Sequence, residues 1–149
     1  MDKKTIIKLT VSFNAVTQRI QDENTEFWYA RDLQVLLGYT DWRNFLKVIE
    51  KSRESARNAG AAVQNHFVDV NKMVSIGSGA ERPIEDVMLT RYACYLIAQN
   101  GDPKKEEVAF AQSYFAVQTR KAELIEERLN LLSRLETRDK LRSAEKQLS

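Results

Sequence analysis

The spacing of apolar residues changes several times along this chain, and each change predicts an element. Ile6, Leu9, Phe13, Val16 and Ile20 step by three and four, the interval of one helix face, whereas the competing alternation of Ile7, Leu9, Val11 and Phe13 stops early. The longer pattern predicts a helix to Ile20, closed by Asp22, Glu23 and Asn24. Phe27, Trp28 and Tyr29 form a short aromatic run of strand type, and Leu33, Leu36 and Leu37 return to one-sided helical spacing. Gly38 stands where a helix ends in the left-handed conformation that a residue without a side chain adopts cheaply. Thr40 or Asp41 can cap the next helix, from Asp41 to about Asn58. Its Trp42, Phe45, Ile49 and Ala56 share one face, while Arg43, Lys47, Glu50, Lys51 and Glu54 share the other; Gly60 ends it. Strand, short helix, glycine turn and second helix in quick succession have the grammar of a helix-turn-helix.

Further along, His66 to Ile76 is rich in β-branched and aromatic residues, and Ile84 to Leu89 reads as a second strand. With the polar loop Gly77 to Pro83 between them they predict a β-hairpin with a seven-residue loop. Thr90 caps a helix that is apolar almost all round, so Tyr92, Tyr95 and Leu96 are expected to be nearly inaccessible, as is Phe115. Asn100 and Gly101 stop it, and Asp102 with Pro103 at the first helical position starts another that nothing interrupts to the end of the chain. Its apolar stripe is coherent to about Leu132, but Leu135, Leu141, Ala144 and Leu148 keep no heptad. The expected architecture is α+β, mostly α: a helix-turn-helix-like unit and a β-hairpin packed on a buried helix, with a long C-terminal helix. The expected division is a domain over residues 1–124 and a projecting helix over 125–149, which would find a partner, most simply in a homodimer, or lead into a further C-terminal region.

Composition narrows the chemistry. With 149 residues, 43% hydrophobic and 30% charged, the chain suits one well-buried core with many exposed charges. No apolar run reaches the roughly 20 residues of a membrane span, and the start lacks a signal peptide's apolar core, so the expected compartment is the cytoplasm. The single cysteine and single histidine, Cys94 and His66, leave no donors for a zinc site or a nucleophilic triad. Asp32, Asp69, Glu85 and Asp86 have no spacing that requires Mg²⁺, and no metal, cofactor or catalysis is expected. The Gly77-Ser78-Gly79-Ala80 run lacks the Lys-Ser/Thr of a phosphate loop and reads as a plain turn, with Arg82 at its tip as a phosphate contact.

The net charge of +2 matters less than its distribution. Between Asp41 and Arg57 five basic residues oppose three acids, whereas Phe67 to Met88 has only Lys72 and Arg82 against Asp69, Glu81, Glu85 and Asp86. The second helix of the helix-turn-helix unit is therefore the expected DNA-binding face, through Arg43, Asn44, Lys47 and Lys51, with Arg and Asn suited to bidentate contacts with base edges. Such residues are also the ordinary solvated face of an amphipathic helix, and Tyr39 and Trp42 beside the turn are expected to pack on the core. Arg53, near the apolar edge, is discounted as a ligand. The pair Arg120 and Lys121 is a secondary phosphate site.

Three segments resemble a known family: WYARDLQVLLGYTDW (28–42), LTRYACYLIAQNGDPKKEE (89–107) and QSYFAVQTRKAEL (112–124). They are similar to the DNA-damage-inducible protein D family, whose N-terminal half looks like the Bro-N domain of phage antirepressors and large DNA viruses. The loop GSGAERPIED (77–86) also looks like that family, while Ala111 and Tyr114 depart from the general Bro-N pattern, which tends to larger aromatics there. The resemblance implies a bacterial, cytosolic, non-enzymatic protein of the DNA-damage (SOS-type) response. Its α+β domain is expected to touch DNA or a DNA-bound recombination filament, and members usually continue past the point where this chain stops. The alternative is a protein-interaction scaffold acting through the long helix, with no direct DNA contact.

Overall fold

The computed structural model describes residues 1–20, 25–116 and 135, and the first of its two compact units, Met1–Ala116, contains the elements discussed below. Helix α1 (Lys3–Ala15) starts where Asp2 accepts the N–H of Thr5 at 2.7 Å. It stops at Ala15, short of the expected Ile20. Thr17 turns its hydroxyl back onto the carbonyl of Phe13 at 3.1 Å, and the residues after it form β1 (Gln18–Ile20), paired antiparallel with β2 (Thr25–Tyr29). The apolar spacing of Val16 and Ile20 allowed a helix; a strand partner that local pattern cannot reveal overrode it.

Helices α2 (Ala30–Leu36) and α3 (Trp42–Asn58) follow as expected. Gly38, at φ +77°, makes the left-handed turn between them, and Asp41 caps α3 by accepting the N–H of Arg43 at 2.9 Å. A short turn of helix, α4 (Val63–His66), precedes β3 (Phe67–Ser75), and β4 (Glu81–Leu89) returns beside it from Ser75↔Glu81 to Phe67↔Leu89. The hairpin loop is therefore residues 76–80, shorter than predicted, and Pro83 lies within β4 opposite Met73. The antiparallel sheet has the order β1-β2-β4-β3, but β2 meets β4 only at Trp28↔Leu89 and Tyr29↔Met88. At Pro83 one edge of β4 consequently has no paired strand among the described residues, the setting in which a strand tolerates a missing N–H.

Helix α5 (Arg91–Asn100) is capped by Thr90, which accepts the N–H of Ala93 at 3.3 Å. Residues 106–116 are helical again. Asp102 caps the turn before them, accepting the N–H of Lys104 at 3.0 Å, so Pro103 sits in a turn rather than at the first helical position. Leu135, beyond this unit, is helical and exposed; the rest of the expected C-terminal helix, with Arg120 and Lys121, lies outside the described residues.

The core gathers Phe13, Trp28, Leu33, Phe45, Ile49, Leu89, Ile97 and Phe115, with Trp28 meeting Phe115 edge-on at 5.4 Å between centroids. Helix α5 buries Ala93, Cys94, Ile97 and Ala98, while Tyr92, Tyr95 and Leu96 are only half-buried. It packs on α3, where Asn100 donates to the carbonyl of Leu96 and to the hydroxyl of the buried Ser52 at 3.3 Å. The small face of α5 thus goes inside, and its aromatic residues cover the edge.

One buried charge holds the frame. Tyr29 precedes α2 and offers no side-chain cap, so Asp86 of β4 supplies it from 55 residues away, accepting the N–H of Arg31 at 3.0 Å and that of Val87 at 2.8 Å. Its other oxygen meets the ammonium of Lys72 at 3.1 Å.

Candidate nucleic-acid interface

Helix α3 has a strong division of faces, which its sequence dictates. Phe45, Ile49, Ser52 and Ala56 are buried, and Arg43, Asn44, Lys47 and Lys51 are all exposed on the outer side. Arg43, Lys47 and Lys51 follow one another at intervals of four, so their Cα atoms span about 12 Å along the helix, comparable with the ~12 Å width of a DNA major groove. None of these three cations is held by a carboxylate among the described residues. Glu50, which lies between them in sequence, is turned aside to Arg53 at 3.3 Å. Glu54 is exposed beside the line and lowers its potential.

The start of α3 is fixed from three sides. Trp42 donates its indole N–H to Glu85 of β4 at 3.0 Å, and the guanidinium of Arg31 lies 4.0 Å over its ring. Tyr39 packs against Phe45 with centroids 5.2 Å apart. Lys105 donates to the carbonyl of Gly38 at 2.8 Å and sits 4.5 Å over the ring of Tyr39. Tyr39 and Trp42 are therefore half-buried packing residues, as expected from their place beside the turn. Residues 101–107 clamp the turn: a Cβ on Gly101 would stand 3.3 Å from the Tyr39 hydroxyl. The pattern around Gly38 had not pointed to Lys105, because the contact crosses 67 residues.

Of the other expected contacts only Arg82 lies among the described residues, and it stands on the hairpin rather than on α3. Arg82 is exposed, but it lies within β4 opposite Val74 rather than at the loop tip, about 10 Å along the strand beyond Glu85. Arg53, already discounted, is bound to Asp69 at 2.9 Å and Glu50 and lies 5.4 Å over Phe67. Arg19 of β1 and Arg91 of α5 both pair with Glu26 of β2.

The reactive residue types are committed to structure. Cys94 is fully buried, and burial pushes its thiol well above the ordinary range, the opposite of what a nucleophile needs. His66 bonds the hydroxyl of Thr90 at 2.7 Å and lies against the ring of Tyr92 at a tilt of 59°, and burial lowers its pKa. Tyr114 donates to Asn14 at 2.6 Å, tying α1 to residues 106–116, and burial raises its pKa. No three His, Cys, Asp or Glu side chains converge as metal ligands among the described residues, and no helix there is long and apolar enough to cross a membrane.

Residues 17–116 match the family model described as the BRO family, N-terminal domain. The chain is 45% identical over 108 residues to DNA damage-inducible protein D of Escherichia coli (strain K12), a stretch that covers 72% of this chain and 39% of that protein. It therefore spans well under half the length of that relative. No solved structure matches the chain.

Proposed function

Because the chain belongs to the BRO family by its N-terminal domain, and has a relative named for inducibility by DNA damage, we propose that it is a non-enzymatic regulatory or repair-associated protein of the DNA-damage response. In this reading it binds DNA, or a recombination filament on DNA, through the outer face of α3. The observation that carries the reading is the line of Arg43, Lys47 and Lys51, exposed along a helix whose start is pinned by Gly38, Tyr39 and Trp42. Three cations over about 12 Å of rigid helix form a register for phosphates, and Asn44 beside them brings an amide suited to a base edge. The hairpin meets α3 at Arg53 and Trp42 through the carboxylates of Asp69 and Glu85, whose charge disfavours phosphates on that side.

Fluorescence anisotropy with labelled duplex and single-stranded DNA at two salt concentrations tests this. Affinity should fall steeply with salt. Replacing Arg43 and Lys47 by Ala should weaken binding and reduce the salt slope by roughly one unit per lost phosphate contact, with the melting temperature unchanged. Undiminished DNA affinity in the folded double variant would refute the assignment.

A further inference from the structure

Between α3 and the hairpin lies an open groove of about 480 Å³ whose chemistry is opposite to that of the outer face. Its apolar lining comes from Trp42 and Leu46 on α3 and from Val70 and Val87 on the strands. Four carboxylates line it, Glu50, Asp69, Glu85 and Asp86, with the guanidinium of Arg53 among them; Lys72 already meets Asp86, and Arg31 stands at the margin over Trp42, so the lining keeps an excess of negative charge. Asp86 is fully buried and already carries α2 and Lys72, so it contributes field more than contact. The others are open. The side chains of Asp69 and Glu50 are 78% and 66% exposed, and each gives one oxygen to Arg53; Glu85 gives one to Trp42. Each of these three retains a second oxygen directed at no described donor.

We infer that this groove is a docking site for an extended protein segment presenting an arginine or lysine. The charge excess selects a cation and repels phosphate, which separates this surface from the nucleic-acid face on the same helix. The apolar lining suits the stem of such a side chain, while Asp69 and Glu85 can receive its charged end. The protein already shows the recognition internally: Arg31 lies 4.0 Å over Trp42 and donates to the carbonyl of Glu85 at 3.0 Å. A second cation entering from the Leu46 and Val70 side would meet the remaining oxygens. The volume lies within the ~300–1,000 Å³ of ordinary ligand sites, enough for a few residues of peptide.

The two tryptophans provide the readout, since Trp28 is buried in the core and Trp42 lines the groove with its indole N–H on Glu85. The ¹⁵N-labelled chain is titrated with the acetylated, amidated peptide Gly-Leu-Arg-Leu-Gly. The Trp42 indole cross-peak should move saturably while that of Trp28 stays, and the same peptide with Glu in place of Arg should move neither. Asp69→Asn and Glu85→Gln keep their hydrogen-bond acceptors for Arg53 and Trp42, and each should weaken the peptide about tenfold, the scale of one charge-assisted hydrogen bond. Glu54→Gln removes the same charge outside the groove and should leave affinity unchanged. The absence of a saturable Trp42 shift would overturn the proposal, as would equal weakening by Glu54→Gln, which would mark mere attraction of cations. A Trp42 shift on changing the concentration of protein alone would assign the groove to a second copy of the chain and equally overturn it.

Discussion

Substituting Asp86 probes how a buried carboxylate on the hairpin holds the helix that leads into the turn. Its side chain is wholly inaccessible and accepts from Arg31 N at the start of α2 and from Val87 N on its own strand. Asp86→Ala removes a helix cap, worth about 1 kcal/mol, and orphans the N–H of Val87, a residue only 3% exposed, at about 1–3 kcal/mol. Lys72 loses its counter-ion, but with 31% of its side chain exposed it can turn to water, so this loss falls below the 3–5 kcal/mol typical of a fully buried broken pair. The total expected is about 3 kcal/mol, a large share of the ~5–15 kcal/mol that holds a domain together. Asp86→Asn retains one oxygen for both N–H groups but turns its NH2 toward the ammonium of Lys72, which can swing to water, so it should cost about 1–2 kcal/mol, less than Ala. Urea denaturation followed by circular dichroism measures both, with the midpoint shifting at constant slope. An Asp86→Ala variant within about 0.5 kcal/mol of the parent would refute the cap, and an Asn variant as unstable as Ala would show that the contact with Lys72, not the cap, carries the effect.

Other outcomes follow from the same structure. Ile97→Ala, in the buried face of α5, should cost about 2–5 kcal/mol and Leu96→Ala, half-exposed, clearly less; equal losses in thermal melts would mean that the orientation of this helix is wrong. Burial lowers the pKa of His66 below its ordinary 6.5, so the unfolded chain binds the extra proton more readily. The stability His66 contributes is therefore full above about pH 6.5 and is lost as pH falls through the folded value. The stability difference between the parent and His66→Asn should be flat above that pH and decline below it, and a flat difference throughout would refute the linkage. From the sequence of residues 125–149 we expect self-association: light scattering should find a dimer for the intact chain and a monomer for a version ending at Glu123, and two monomers would remove the dimer.

The sequence alone determined the elements whose ends are local chemistry. Asp41 and Thr90 cap the helices they precede, and Gly38 and Gly60 take positive φ where α2 and α3 end. The division of α3 into buried and charged faces also came from spacing, because a 3.6-residue period needs no knowledge of what covers it. The family was legible too, in short segments around the turn and α5. Distant contacts decided the rest. Gln18–Ile20 is a strand because β2 is there to pair with it, and Pro83 fits inside β4 where that stretch has no second paired strand among the described residues. The close approach of α3 turned the small side of α5 inward and left Tyr92, Tyr95 and Leu96 at the edge. Asp86, Glu85 and Lys105 read as scattered surface charges in the sequence; they became the cap of α2, the anchor of Trp42 and the clamp on Gly38 only through contacts spanning 55, 43 and 67 residues. Local periodicity records which way a residue faces on its own element, and a partner that far along the chain leaves no trace in it until the chain has folded.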